Sequence, residues 1–233
     1  MQFLEVKNLL SYFESRLPVD FKDLKEIKTK IKICEGLGIK NIILEPINGL
    51  EKISFDIKEK IQSESQINIF FRINLRLGTI EEFRQIIRKY NNFQDILSIE
   101  SLNKEVQLHS AKDSRVDLVS FSDPEILQTL TTGVISLTKQ NNSFIEFSLA
   151  PLMVSNKTNQ SKNFRKLYKN IQLALKLKAN YIISGNFKNI FDYRHPRALI
   201  SVCHSLLGIP MSIAKEVYTK NPQLLVGKSK KFS

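Results

Sequence analysis

Short apolar runs alternate along this chain with longer segments whose apolar residues recur every three to four positions. The runs at residues 40–45 (KNIILE), 67–75 (INIFFRINL), 97–100, 116–121 (VDLVSF), 143–149 (SFIEFSL) and 180–184 (NYIIS) are rich in β-branched and aromatic side chains and predict strands. Residues 3–6 are a further short candidate. Between the runs, residues 23–37 set Leu24, Ile27, Ile31 and Cys34 on one helical face, with Gly36 or Gly38 to end the helix. Helices are also expected over 53–61, after Thr79 with Glu82 as its capping-box partner, and over 103–112. Three more are expected: one opened by Ser122, Asp123 and Pro124, one over 161–177 and one over 196–207.

Strand followed by helix, repeated six or seven times, implies an α/β fold with a parallel sheet buried on both faces. So many units favour a TIM-barrel-like (βα) barrel of about seven parallel strands with surrounding helices over an open doubly wound sheet. The ends after Glu45, Asn74, Phe121, Leu149 and Ser184 then share the rim where such barrels keep their sites. No linker interrupts the pattern, so residues 1–226 are expected to be one barrel domain. Residues 227–233 (GKSKKFS) read as a basic flexible tail. The polar tract 154–162 (VSNKTNQSK) reads as a mobile loop on the same rim.

Charge changes the picture. Residues 151–233 carry 15 Lys/Arg against two acids, Asp192 and Glu216, while the whole chain is +12. The first two thirds are therefore close to neutral. Segregated positive charge suggests a polyanion-binding surface, because self-repulsion adds nothing to folding. The helix over 161–177 sharpens this. Phe164, Leu167, Tyr168, Ile171, Ala174 and Leu175 are expected to form its buried stripe, and Lys162, Arg165, Lys166 and Lys169 line one side at i, i+3, i+4 and i+7. No acid lies between Glu146 and Asp192, so these bases lack a local partner. The like charges repel by a few tenths of a kcal/mol per pair, a cost that phosphates would offset.

Other chemistry is sparse. Three histidines, His109, His195 and His204, form no HxH, HxxxH or HExxH. His204 is expected in the core, and His195, between Arg194 and Arg197, could touch phosphate. There is no GxSxG elbow and no glycine-rich phosphate loop; Gly185 alone stands near a late strand end. Cys34 and Cys203 are too far apart for a metal motif and read as buried thiols. Glu146, inside an apolar strand, is expected to pair with a base such as Arg72 on a neighbouring strand, since burial alone would be costly. No apolar run approaches the roughly 20 residues of a membrane span, and the N-terminus lacks a signal-peptide pattern, so a cytoplasmic protein without a membrane partner is expected.

From residue 104 to 227 the chain resembles RNase P protein component 3, the archaeal counterpart of a eukaryotic RNase P subunit. KEVQLHSAKDSRVDLVSFS (104–122) is similar to the family's helix, loop and "RVDVLSF" strand, and FIEFSLAPL (144–152) to its "IEF-x-L-x-PLL". FRKLYKNIQLA (164–174) with YIISG (181–185) resembles its basic helix and "ISSGA" strand end. DYRHPRALISVCHSL (192–206) resembles "D-x-R-x-P-R-x-L", and NPQLL (221–225) resembles "NP-x-x-IL". Ser184, Gly185, Asn186 and Phe187 depart from the family's usual second Ser and small residue.

The resemblance implies a barrel related to PHP-class metal-dependent phosphoesterases but lacking their metal ligands. It implies a protein subunit of the RNA-based endoribonuclease that removes the 5′ leader of precursor tRNA. Its partners would be RNase P RNA, RNase P protein component 2 and the other RNase P protein subunits, with precursor tRNA as substrate of the whole. Catalysis, and any Mg2+, would belong to the RNA; this chain would carry no cofactor and no catalytic residue. Lys162, Arg165, Lys166, Lys169, Arg194 and Arg197 are the first candidates for RNA contact. Lys104, Lys112 and Arg115, near the adjacent rim, are the second. Two alternatives stand beside this: a PHP-type phosphoesterase using Glu45, Asp117 or Glu146 as ligands, and a metabolic barrel enzyme binding a phosphorylated small molecule near Gly185.

Overall fold

The computed structural model describes residues 11–47 and 52–229. Seven strands pair in sequence order, each parallel to the next: β1 (Phe13–Val19), β2 (Asn41–Pro46), β3 (Asn68–Arg76), β4 (Ile96–Glu100), β5 (Leu118–Phe121), β6 (Phe144–Ser148) and β7 (Tyr181–Ser184). The helices are α1 (Leu24–Gly36), α2 (Phe55–Ser63), α3 (Ile80–Ile87), α4 (Lys104–Lys112), α5 (Thr132–Gln140), α6 (Lys157–Lys176), α7 (Pro196–Ser205), α8 (Met211–Glu216) and α9 (Lys220–Ser229). The first six follow one strand each. The result is a nearly closed TIM-barrel-like fold. No ladder joins β7 to β1; Gly185 N–H at the end of β7 donates to Glu14 Oε1 of β1 at 3.0 Å.

The alternation of side chains along a strand divides the barrel. Outward residues such as Ile42, Leu44, Phe71, Ile73, Ile99, Val119, Ile145 and Ile183 pack beneath the helices in one large core. Inward residues begin apolar: Phe13, Ile43, Ile96, Leu118, Phe144 and Ile182 meet Leu225 and Val226 of α9, which closes the N-terminal end of the barrel. Two positions further along the strands, the inward residues turn polar: Glu45, Arg72, Ser98, Ser120, Glu146 and Ser184, all buried. A polar layer inside a barrel of short strands is thus written into the sequence at period two.

Several boundaries differ from expectation, each for a local reason. The run at 3–6 lies outside the described residues. The first described strand is FESRLPV, which the sequence pattern does not predict because Glu14, Arg16 and Pro18 hide its strand character. After Pro124 the chain makes a 3-10 turn (Ile126–Thr129), and the α-helix starts only where Thr131 Oγ1 accepts from Val134 N–H. Asn156 caps α6, whose first residue is Lys157, so much of the expected loop 154–162 is helical. α9 runs through Ser229, so residues 227–229 are helix rather than tail; residues 230–233 lie outside the described residues. Lys228 Nζ donates to Val116 O at 3.3 Å and stands 3.5 Å from Asp117 Oδ1, tying α9 to the barrel floor. Cys34 and Cys203 are buried free thiols, as expected. His204 is exposed rather than in the core, and its Nδ1 meets Ile209 O at 2.9 Å.

Candidate nucleic-acid interface

The polar layer inside the barrel is an ion cluster. Arg72 forks onto Glu146, NH1 to Oε1 at 3.0 Å and NH2 to Oε2 at 2.9 Å, and its Nε lies 2.9 Å from Glu45 Oε2. The expected Glu146–Arg72 pair therefore forms, but across the interior from β6 to β3 rather than between neighbouring strands. Arg16 donates to Glu45 Oε1 at 2.7 Å and lies 3.6–3.7 Å from Glu146 and Glu100. Glu100 in turn accepts from Asn74, Arg76 and Ser122. Burial opposes ionisation of Glu146, but the Arg72 and Arg16 guanidiniums win and hold its pKa at about 2. For Glu100, too, burial is outweighed by Arg16, Ser122 and Arg76, and its pKa is lowered.

These carboxylates are engaged by guanidiniums, and among the described residues no three His, Cys, Asp or Glu side chains are placed to hold a metal ion. Asp117 lies at the other end of β5, accepting from Leu97 N–H and facing Lys228. It does not converge with Glu45 or Glu146. Gly185 offers no room for a phosphate either. Its N–H is engaged by Glu14, and a Cβ there would stand 2.7 Å from both Glu14 Oε2 and the Phe187 ring. Above the cluster a cavity of about 470 Å³ opens at the C-terminal rim, lined by Arg16, Asn74, Arg76, Asn186 and Lys188 among others.

The predicted basic residues fall on three surfaces. α6 stands with its N-terminal half against the C-terminal rim: Gln160 and Asn163 donate to Leu152 O and Pro151 O, and Lys166 Nζ to Pro124 O at 3.3 Å. Leu167, Ile171 and Ala174 face the core with Phe164 and Leu175 partly buried beside them, whereas Tyr168, expected in the same stripe, is exposed at its edge. Lys162, Arg165 and Lys169 are exposed and, among the described residues, form no ion pair. Lys166 is half-buried. Lys157, the first residue of α6, is also exposed but, five residues before Lys162, does not fall on the same side of the helix.

Lys104 opens α4 on the same rim, whereas Lys112 ends α4 and stands with Arg115 at the opposite rim, so these three are not together. Arg115 is bound locally, by Nε to Asp113 Oδ1 at 2.8 Å and NH2 to Oδ2 at 2.6 Å. Arg194 and Arg197 form the third surface. Arg194 makes no pair with Asp192; its NH1 donates to Phe191 O and Tyr193 O. His195 caps α7, its Nδ1 accepting from Arg197 N–H at 3.1 Å, and its ring lies edge-on to Tyr12 beside the start of β1. Arg197 projects, exposed, from the first turn of α7, where the helix dipole disfavours a cation.

A solved structure of archaeal ribonuclease P with mature tRNA contains a chain 15% identical to this one, with TM-score 0.71 over 93% of this chain and 90% of that one. A putative prolidase from Bifidobacterium longum shares the barrel at TM-score 0.61 and 9% identity, over 94% of this chain and 70% of that one. An organophosphorus hydrolase variant from Deinococcus radiodurans shares it at 0.57 and 10%, over 94% of each. No curated protein sequence matches. The family RNase P subunit p30 matches residues 11–231, and the chain belongs to that family.

Proposed function

We propose that this chain serves ribonuclease P as an RNA-binding subunit that performs no chemistry itself. The family makes it a protein subunit of that enzyme, active in tRNA processing. Its partners in this reading are RNase P RNA, RNase P protein component 2 and the other protein subunits, with precursor tRNA as the shared substrate. The fold likeness to a chain of an archaeal ribonuclease P solved with mature tRNA supports that setting. The RNA would cut the 5′ leader and hold any Mg2+. The cytoplasm is the proposed compartment; among the described residues no helix is long and apolar enough to cross a membrane.

The observation that carries the RNA-binding reading is the uncompensated cationic face of α6. Twenty residues without one acid project Lys162, Arg165 and Lys169 into solvent. Arg194 and Arg197 supply a second contact. A PHP-type phosphoesterase is not favoured, because Glu45 and Glu146 face guanidiniums and Asp117 lies at the opposite end.

The test is to purify the tagged chain from its host at moderate salt and sequence the RNA that accompanies it. RNase P RNA should be enriched, and the enrichment should fall when Lys162, Arg165, Lys166 and Lys169 become Ala. A folded preparation that enriches no RNA would overturn the reading.

A further inference from the structure

The loop after β7 is braced so that one aromatic ring stays in solvent. Phe187 and Tyr193 are its buried anchors, their rings edge-to-face at 5.8 Å, with Tyr193 OH donating to Phe187 O at 3.0 Å. Between them Asn189 Oδ1 accepts from Phe191 N–H at 3.0 Å, and Arg194 NH1 donates to Phe191 O. Backbone contacts on both sides of Phe191 are therefore made. Phe191 is 77% exposed, with Phe55 at 75% the next among the described large hydrophobic residues.

Exposing a phenyl ring gives up the burial that usually makes Phe a core residue. The surroundings indicate what would cover it. Lys188, Arg194 and Arg197 are exposed nearby in sequence and, among the described residues, form no ion pair; Asp192 is the one acid from 185 to 197. Among the described residues, its neighbour in sequence Ile190 is 39% exposed, and Ile47, 57% exposed, lines the same rim cavity as Lys188. A flat ring with a cation three residues to either side suits a nucleobase on the ring, with its phosphates on Lys188 and Arg194.

We propose that Phe191 is a stacking platform for an unpaired base of the RNA partner, with Lys188, Arg194 and Arg197 taking the adjoining phosphates. This rests on the RNA-binding reading above and adds to it a contact that is apolar in origin and independent of the α6 face.

The test uses the full-length chain and RNase P RNA transcribed from the same source. Binding is measured over a series of salt concentrations for the wild type, F191L and F191W, and ultraviolet crosslinked peptides are mapped. Loss of one stacked base should weaken F191L by about ten-fold, while F191W should keep most of the affinity. The slope of log affinity against log salt should not change in F191L, because no phosphate contact is lost. The crosslink should fall on the peptide containing Phe191.

If the wild type binds the RNA but F191L binds equally well and no crosslink maps to this loop, the stacking assignment is wrong and the RNA-binding reading stands. If F191L binds RNA normally yet loses a protein subunit in pull-down from the reconstituted enzyme, the ring is a protein contact and the assignment is likewise wrong. If the folded wild type binds no RNA, both fall together.

Discussion

Arg72 is wholly buried and answers to two carboxylates from different strands. Removing one member of such a cluster leaves unpaired charge in a place that water does not reach. Arg72→Met should therefore destabilise the fold by about 3–5 kcal/mol in urea unfolding, and the double variant R72M/E146Q should recover part of that loss. Glu14 behaves in the opposite way to Glu146. Burial drives the Glu14 pKa up to about 7, only partly offset by the Arg16 and Gly185 N–H groups. Between its ordinary pKa of 4.5 and about 7, the folded chain holds a proton that the unfolded chain has released. Glu14 thus lowers stability as pH rises through that window, by about 3 kcal/mol in all. Glu146, held at about 2, contributes stability above 4.5 that is lost as pH falls toward 2. Thermal unfolding of E14Q across pH 4.5–8 should show a flatter profile than the wild type and greater stability above pH 7. An unchanged slope would show that Glu14 is not the titrating group.

At the scale of elements, α6 is held by its apolar stripe and leaves its cations free. Lys162→Ala, Arg165→Ala and Lys169→Ala should leave the circular dichroism spectrum unchanged. Each should reduce the slope of log affinity for RNA against log salt by about one unit or less. A triple variant whose slope equals the wild type's would remove this helix from the interface. Local signals were legible wherever a side chain acts on its own helix. Thr79 accepts from Glu82 N–H, and Glu82 reaches back to Gly78 N–H, close to the expected capping box. β1 was not legible, because its Glu14 and Arg16 look like surface residues until the barrel supplies Gly185, Glu45 and Ser120 to receive them. The helix expected from Asp123–Pro124 starts later for a related reason: Pro124 fits a helix's first turn, but it lies in a turn ahead of the 3-10 segment Ile126–Thr129, and the capping hydroxyl is that of Thr131.

For the molecule as a whole, α9 matters beyond its length. Leu225 and Val226 fill the N-terminal mouth against the inward residues of β1, β2, β4, β5, β6 and β7. Leu225 is fully buried, so Leu225→Ala should cost about 2–5 kcal/mol in chemical unfolding, as a large-to-small core change does. A cost below 1 kcal/mol would mean that the barrel floor relaxes without the helix.

The alternation of apolar strands and amphipathic helices determined the parallel barrel, because both periodicities follow from backbone geometry alone. The acid-free composition of residues 147–191 determined the cationic face of α6, since a helix fixes which of its own residues share a side. Tertiary structure decided the rest. It joined Arg72 of β3 to Glu146 of β6 across the interior, brought Glu14 of β1 to Gly185 at the end of β7, and left Phe191 outside. Those outcomes depend on which strands face one another and which loops find anchors, and spacing along a chain does not contain the shear and closure that bring distant residues together.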